Sequence, residues 1–411
     1  MPYISRILIT IIALLSFGIS MGYAQIRQIK TITGSEGLSD ILVNTIYKDQ
    51  DGYVWLGTEA AVDRFDGNSF LSFQLPIDSR GKGRVNAILR VPSGDVYVGS
   101  NAGLTLIRGG IEEPQTILAD KIPSSVTALA ADRSKKIYIA TEKGLFCYDI
   151  QKNKLNRLET DQNLLKPDNG FVDLSIQDDN TLWAATKHTL YKYDILNQKA
   201  TAFPITMEGQ CSQIVLLDNQ IYIGIRGAGV LPFNMTTTKF RDLISFGNNL
   251  ITDMDVDPRD NLYVATDGDG VFRYSPTDNR HEEHLSTTEG EPRLQSNSVY
   301  SIMADDLGLL WVGYYQLGLG YMPHVQDYFS TFSLPQASFD SKKYAVRAIA
   351  FDGGYKIIGT RDGLFVVNES SGHVVHYCKP QLRSNIIFSI QPIGAGRFII
   401  GTYNGGMYEL N

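Results

Sequence analysis

Apolar and polar residues alternate with a period of two through most of this chain, in short runs punctuated by Gly, Asp and Asn. That period belongs to half-buried strands. The stretch Val43–Asp66 shows the scheme most clearly. Val43 and Ile46, then Val54 and Leu56, supply the apolar faces of two strands, with Asp49-Gln-Asp-Gly52 as the hairpin between them. Thr58–Ala61 reads as a second turn and Val62–Phe65 as a third strand. Asp66-Gly67 turns the chain into a fourth strand, Ser69–Phe73. No run shows the spacing of an amphipathic helix.

The same scheme returns along the whole chain, beginning at Val85, Val126, Phe171, Cys211, Ile251, Val299, Val346 and Ile387. A small residue ends the second strand of each copy: Gly57, Gly99, Ala140, Ala185, Gly224, Ala265, Gly313, Gly359 and Gly401. Their mean spacing is about 43 residues, from 39 (Ala185 to Gly224) to 48 (Ala265 to Gly313). A four-stranded propeller blade has this period, whereas the repeats of a stacked β-solenoid, the main competitor, are usually shorter. Gly or Ala suits a place where strands crowd toward a ring axis.

A ring of blades must hide its edges, commonly by letting a terminal strand complete the last blade. Ile26–Ile32, before the first copy, is such an orphan strand, and Tyr328–Leu334, after the seventh, is another. The expected fold is therefore all-β: a seven-bladed propeller of four-stranded antiparallel blades over 25–325, then the first two blades of a second, incomplete propeller over 326–411. Two blades leave edges open, so the chain reads as a fragment of something longer.

Residues 1–24 have the layout of a secretory signal peptide: Arg6, an apolar run from Ile7 to Ile19, and Gly22-Tyr-Ala24 before Gln25. An uncleaved membrane anchor is the alternative. No later run approaches the length of a membrane helix. With 43% hydrophobic residues there is material for a large core, and a formal charge of −7 argues against nucleic acid or an anionic membrane as partner. Cys147, Cys211 and Cys378, odd in number and far apart, read as buried thiols and not as a disulfide framework.

Catalytic or metal-binding patterns are sparse. Gly18-Ile-Ser-Met-Gly22 lies in the leader and is discarded. His281 and His284, and likewise His373 and His376, are three apart in strands. They should face opposite sides and stay solvated, sharing no metal. Asp253, Asp255 and Asp257 could line one strand face, and Asp267-Gly-Asp-Gly270 reads as a turn without the Glu of a calcium loop. Trp55, Trp183 and Trp311 recur at one blade position, which favours core packing over sugar stacking. No cofactor and no metal site are expected.

Strand direction alternates, so the turn after each second strand opens on one end of the ring. The residues just past the small residue form a circle there: Glu59, Asn101, Glu142, Lys187, Arg226, Asp267 and Tyr315, with Tyr314 beside the last. They vary in charge while the strands beside them repeat, as a tailored site on a scaffold would.

Gly37-Leu-Ser-Asp40, Val43-Asn44, Asp51–Thr58 and Arg64-Phe-Asp-Gly67 resemble the two-component regulator propeller repeat, as does Leu310–Tyr315 with Gly318-Leu319. Ala60-Ala-Val62 departs from the Gly-Leu usual there. The resemblance implies the periplasmic sensor of a hybrid two-component system in glycan-degrading bacteria. Two propellers, an immunoglobulin-like domain, a membrane helix, a kinase, a receiver and a DNA-binding domain belong to that plan, and a homodimer is an expected state of the intact receptor. On this reading the ligand is an oligosaccharide, with Arg226, Lys187, Tyr314 and Tyr315 as its best-suited contacts, since planar donors and aromatic faces fit hydroxyl-rich rings. Arg64 and Asp66, at the far end of the third strand, read as structural. A polysaccharide lyase and a protein-docking propeller are the competing readings.

Overall fold

The computed structural model describes residues 29–323 and 345–411, apart from 60, 77–82, 123, 159–169, 249 and 290–292. The leader 1–24 and the expected strand Tyr328–Leu334 lie outside the described residues. The described chain is all-β, its only helical pieces being single 3-10 turns at Gly34–Glu36 and Arg108–Gly110. Two compact units divide it, Met1–Asp327 and Tyr328–Asn411.

The first unit is a β-propeller. In its first sheet Thr45–Lys48, Val54–Gly57, Ala61–Phe65 and Phe70–Gln74 follow one another antiparallel, and five more sheets repeat that order. The first hairpin is shaped by Asp49, whose Oδ1 accepts the N–H groups of Asp51 and Tyr53 at 3.0 Å each. Asp132, Asp257 and Asp305 close the corresponding hairpins of the third, sixth and seventh sheets in the same way. Such an Asx turn satisfies backbone donors that the ladder leaves open. A threonine staples the second turn: Thr58, Thr141 and Thr266 Oγ1 donate to Ala61, Gly144 and Gly270 O at 3.0, 2.8 and 2.9 Å.

The seventh sheet is built from both ends of the unit. Lys30–Ile32 pairs antiparallel with Leu319–Pro323, Ile32 opposite Leu319, and supplies the fourth strand that Val299–Ala304, Leu309–Tyr314 and Leu319–Pro323 lack. The first strand of each sheet lies against that of the next, and that of the seventh against that of the first. The small residue at the end of the second strand answers to this crowding: a Cβ on Gly99 would stand 2.5 Å from Val126 Cγ1 of the next sheet.

Between neighbouring sheets run side-chain to backbone hydrogen bonds from the first strands. Asn86 Nδ2 donates to Val126 O, Thr127 Oγ1 to Phe171 O, Thr252 Oγ1 to Val299 O and Ser301 Oγ to Val43 O. In the opposite sense, Asp173 accepts from Ile214 N and Asp253 from Ile302 N, each at 2.8 Å. Asp253 and Asp255 do share a face, the one turned to the seventh sheet, where Asp255 accepts from Ala304 N. Asp257 lies beyond the strand in its hairpin.

Trp55, Trp183 and Trp311 are core residues, exposed by 5% or less. Their Nε1 groups donate to Asp49, Gln177 and Asp305 respectively. Cys147 and Cys211 are buried thiols and Cys378 is half-buried.

The second unit holds a four-stranded sheet (Ala348–Asp352, Tyr355–Gly359, Leu364–Asn368, Val374–Tyr377) and a three-stranded one (Ile387–Gly394, Arg397–Thr402, Gly406–Leu410). Ile357, Leu364, Ile387, Phe398 and Ile400 form the core between them. Ile349, Phe351 and Phe388 of the two first strands are exposed.

Candidate functional site

The circle of residues lies at one end of the first unit, where each second strand meets the chain leading into a first strand. Asn101, Glu142, Asp267 and Tyr315 donate their N–H groups to Arg84, Ser125, Leu250 and Ser298 O. These bonds extend the pairing of the first and second strands by one residue at this end of the ring.

Their surroundings differ. Glu59, half-buried, accepts from Asn44 Nδ2 at 3.2 Å and stands 3.8 Å from Arg84 Nε. Asn101 accepts from Asn86 Nδ2 at 3.0 Å and from Ser125 Oγ at 2.9 Å. Asp267 accepts from Ser298 Oγ at 2.8 Å. Tyr315, 40% exposed, stacks on Tyr300 with ring centroids 4.9 Å apart. Glu142, Lys187 and Arg226 are exposed, and among the described residues none of the three makes an ion pair. Between the third and fourth sheets Glu142 and Lys187 border a 470 Å³ depression with Thr127, Val172 and His188.

One expected contact is corrected. Tyr314 is fully buried, its hydroxyl 3.4 Å from Gln295 N and its ring against Gly320. It occupies the position that Thr58, Thr141 and Thr266 hold in other sheets, which points inward, so it packs the seventh sheet and cannot meet a ligand. Sequence reasoning missed Tyr300, Arg84, Asn44 and Asn86. All but Arg84 directly follow the buried residue that starts each copy, and that recurring place was the available signal. The Tyr300 phenol shows how they converge: burial raises its pKa, Asp267 and Tyr315 raise it further, and Arg226 and Arg84 lower it. Groups from the second, fifth, sixth and seventh sheets thus act on one hydroxyl across the mouth.

The histidine pair His281/His284 departs from expectation as well. A bulge between Arg273 and Tyr274 sets His281 opposite Tyr274 and His284 opposite Phe272, so both rings lie on one face. Their exposure differs: His281 is exposed, with Phe246 4.8 Å away, whereas His284 is half-buried and stacks on Phe272. Among the described residues no group of His, Cys, Asp and Glu is arranged to hold a metal ion. Arg64 and Asp66 are structural: Arg64 donates to Gly110 O, and Asp66 accepts from Asn68 and Ser69 N.

The opposite mouth is polar but internally paired. Its 530 Å³ opening includes Lys48, Gln213, Asp253 and Asp305, with Lys48 Nζ 3.4 Å from Asp305 and Gln213 Oε1 accepting from Met254 N.

Residues 37–60 match the family described as the two component regulator propeller. The matched segment has a mechanical role: Ser39 donates through N and Oγ to the buried Asp63 at 3.0 and 2.6 Å, tying the chain behind the closing strand to the first sheet. No curated protein sequence matches the chain. A crystal structure of the extracellular domain attributed to a hybrid two component system from B. thetaiotaomicron is similar over 94% of this chain and 53% of that one, with 21% identity and a TM-score of 0.61. A second extracellular domain from B. thetaiotaomicron, attributed to a one component system, matches over the same shares at 19% identity and a TM-score of 0.62. Virginiamycin B lyase from Staphylococcus aureus shares the fold over 73% of this chain and 99% of its own, at 14% identity and a TM-score of 0.58. The chain spans about half the length of the extracellular domains it matches. No helix among the described residues is long and apolar enough to cross a membrane. The chain is a β-propeller protein that carries the two-component regulator propeller repeat and shares the fold of these extracellular domains.

Proposed function

We propose that this chain is the ligand-sensing, extracytoplasmic part of a hybrid two-component regulator, and that it binds glycan-derived oligosaccharides at the axial mouth without transforming them. The observation that carries the reading is the mouth itself. The stacked Tyr300–Tyr315 pair, the exposed Arg226 and Lys187, which form no ion pair among the described residues, and the amides of Asn44, Asn86 and Asn101 belong to turns and strand starts at one end of the ring. Aromatic faces with planar donors suit sugar rings, and loops on a fixed scaffold are where recognition is tailored. The strongly raised carboxyls, Asp173, Asp253 and Asp255, accept backbone N–H groups between sheets and do not face this mouth as acids or bases. In this reading export follows from the leader 1–24, and the signalling partner is the kinase region of a longer receptor.

The test is titration of the purified chain with oligosaccharides from plant and host glycans, read by calorimetry and repeated with Arg226→Ala and Tyr315→Ala. Saturable binding weakened by both variants, with no change in the recovered sugar, supports the proposal. Turnover of the sugar would replace it with the lyase reading.

A further inference from the structure

A second polar groove, of 690 Å³, opens on the outer rim between the fifth and sixth sheets. Its origin is one residue. Pro232, in the third strand of the fifth sheet, accepts from Arg241 N at 2.8 Å but has no N–H to return. The fourth strand therefore holds register only at Lys239–Phe240. When it rejoins, Val230 faces Ile244 and not residue 243, so one extra residue has been inserted. A bulge at Asp242–Leu243 is the result, and the space a straight fourth strand would fill is left as the groove.

Three polar groups of the groove lack partners among the described residues. The Arg241 guanidinium is exposed and forms no ion pair, although its charge acts on both Tyr222 and Tyr274. The Tyr222 hydroxyl has no hydrogen bond. Gln220 Oε1 is buried with no donor, a cost that proteins seldom leave without reason. His281 stands beside them, 5.6 Å from the Tyr274 ring, and Tyr274 itself is held by Asn279.

We infer that this rim groove is a second ligand site, distinct from the axial mouth, and that it takes a saccharide bearing a carboxylate, such as a uronic acid. The guanidinium fork matches a carboxylate through two parallel charge-assisted hydrogen bonds, stronger than those it would donate to the hydroxyls of a neutral sugar. The phenol, the imidazole and the Gln220 amide match ring hydroxyls, and the Pro232 and Pro276 rings offer apolar contact. The volume lies in the range of small-molecule sites, about 300–1,000 Å³. The site uses no residue of the mouth, so it stands or falls separately from the proposed function.

The probes are digalacturonate, neutral galactobiose and galactose 6-sulfate, titrated into the full chain by calorimetry. Digalacturonate should bind, and galactobiose should not. Arg241→Ala should weaken binding by about tenfold or more, as loss of a charge-assisted pair does. Gln220→Leu should also weaken it while raising the melting temperature, since it deletes an orphan acceptor. Arg226→Ala and Tyr315→Ala, which act at the mouth, should leave the Arg241-dependent part of digalacturonate binding in place, and unchanged melts of the Arg variants keep the comparison valid. No digalacturonate binding, equal binding of galactobiose or the sulfate, or loss on Arg226→Ala with retention on Arg241→Ala would each overturn the assignment.

Discussion

The imidazole of His284 lies flat on the ring of Phe272, centroids 4.2 Å and planes 2° apart, with Nε2 2.7 Å from Asp269 O in the turn before Gly270. The second unit repeats the arrangement: His376 stacks on Phe365 at 4.0 Å and 2°, with Nε2 2.6 Å from Asp362 O. In the third sheet Arg157, opposite Phe146, takes the same place and donates to Lys143 O at 3.1 Å. Each of these side chains pins the outermost strand to the turn between the second and third. An outer strand has only one ladder partner, so such a pin compensates for its edge position.

His284→Ala should therefore destabilise the first unit by about 1–3 kcal/mol, the range for a lost hydrogen bond plus an aromatic contact. His284→Arg should recover part of that, because Arg157 already fills the same slot. Urea unfolding of both variants checks this, and an unaltered midpoint in His284→Ala would remove the pin from the account.

Stability should rise as the pH falls from about 8 to about 5. Burial pushes the Asp173, Asp253 and Asp255 carboxyls up to about 7, about 8 and about 6, with the Asp255 charge adding to the effect at Asp253. Their backbone N–H donors oppose it only in part. Each group binds its proton more tightly folded than unfolded, so folding takes up protons in this window and the slope of stability with pH is negative. The lowered carboxyl of Glu36, held near 2 by Thr33, acts in the opposite sense only below about pH 4. Melts at pH 6 and 8 should differ in the stated direction, and Asp253→Asn should flatten the difference. A chain more stable at pH 8 than at pH 6 would contradict the buried placement of these groups.

The crowding at the axis predicts a compensating pair. Gly99→Ala would set its Cβ 2.5 Å from Val126 Cγ1. It should cost about 1–3 kcal/mol through overpacking. Val126→Ala on the same chain should make the second substitution cheaper than it is alone, because each vacates what the other needs. A double-mutant cycle with strictly additive effects would show that the first strand yields without resistance.

These contacts mark what was legible in the sequence. Asp49 announced the first hairpin because an Asx turn needs only local chemistry, and Gly57 and Gly99 announced the axis because crowding there excludes a side chain. Trp55 was readable as core from its recurrence. Tyr314 was not, because its neighbour Tyr315 is exposed and only register tells which of two adjacent tyrosines points inward. Arg84 acts on Tyr300 only through its charge, from a sheet far apart in sequence, and closure of the ring is what brings it within range. The shared face of His281 and His284 hangs on a one-residue bulge that period-two counting cannot register.

The same register argument separates binding from stability at the seventh sheet. Tyr314 is fully buried and Tyr315 is 40% exposed on the stacked Tyr300 ring. Tyr315→Ala removes an aromatic surface from the mouth but almost no core, so it should weaken a bound oligosaccharide by about 1–3 kcal/mol with little change in the melt. Tyr314→Ala opens a cavity behind Gly320 and should cost about 3–5 kcal/mol of stability, as Trp55→Ala should in the first sheet. Affinity per folded molecule should survive both core variants, because neither residue reaches the opening. Calorimetry on Tyr315→Ala, Tyr314→Ala and Trp55→Ala, each normalised to its folded fraction, gives the comparison. If Tyr314→Ala abolished binding while its melt stayed level, the mouth would have to include the interior of the seventh sheet, and the inward position of Tyr314 would be wrong.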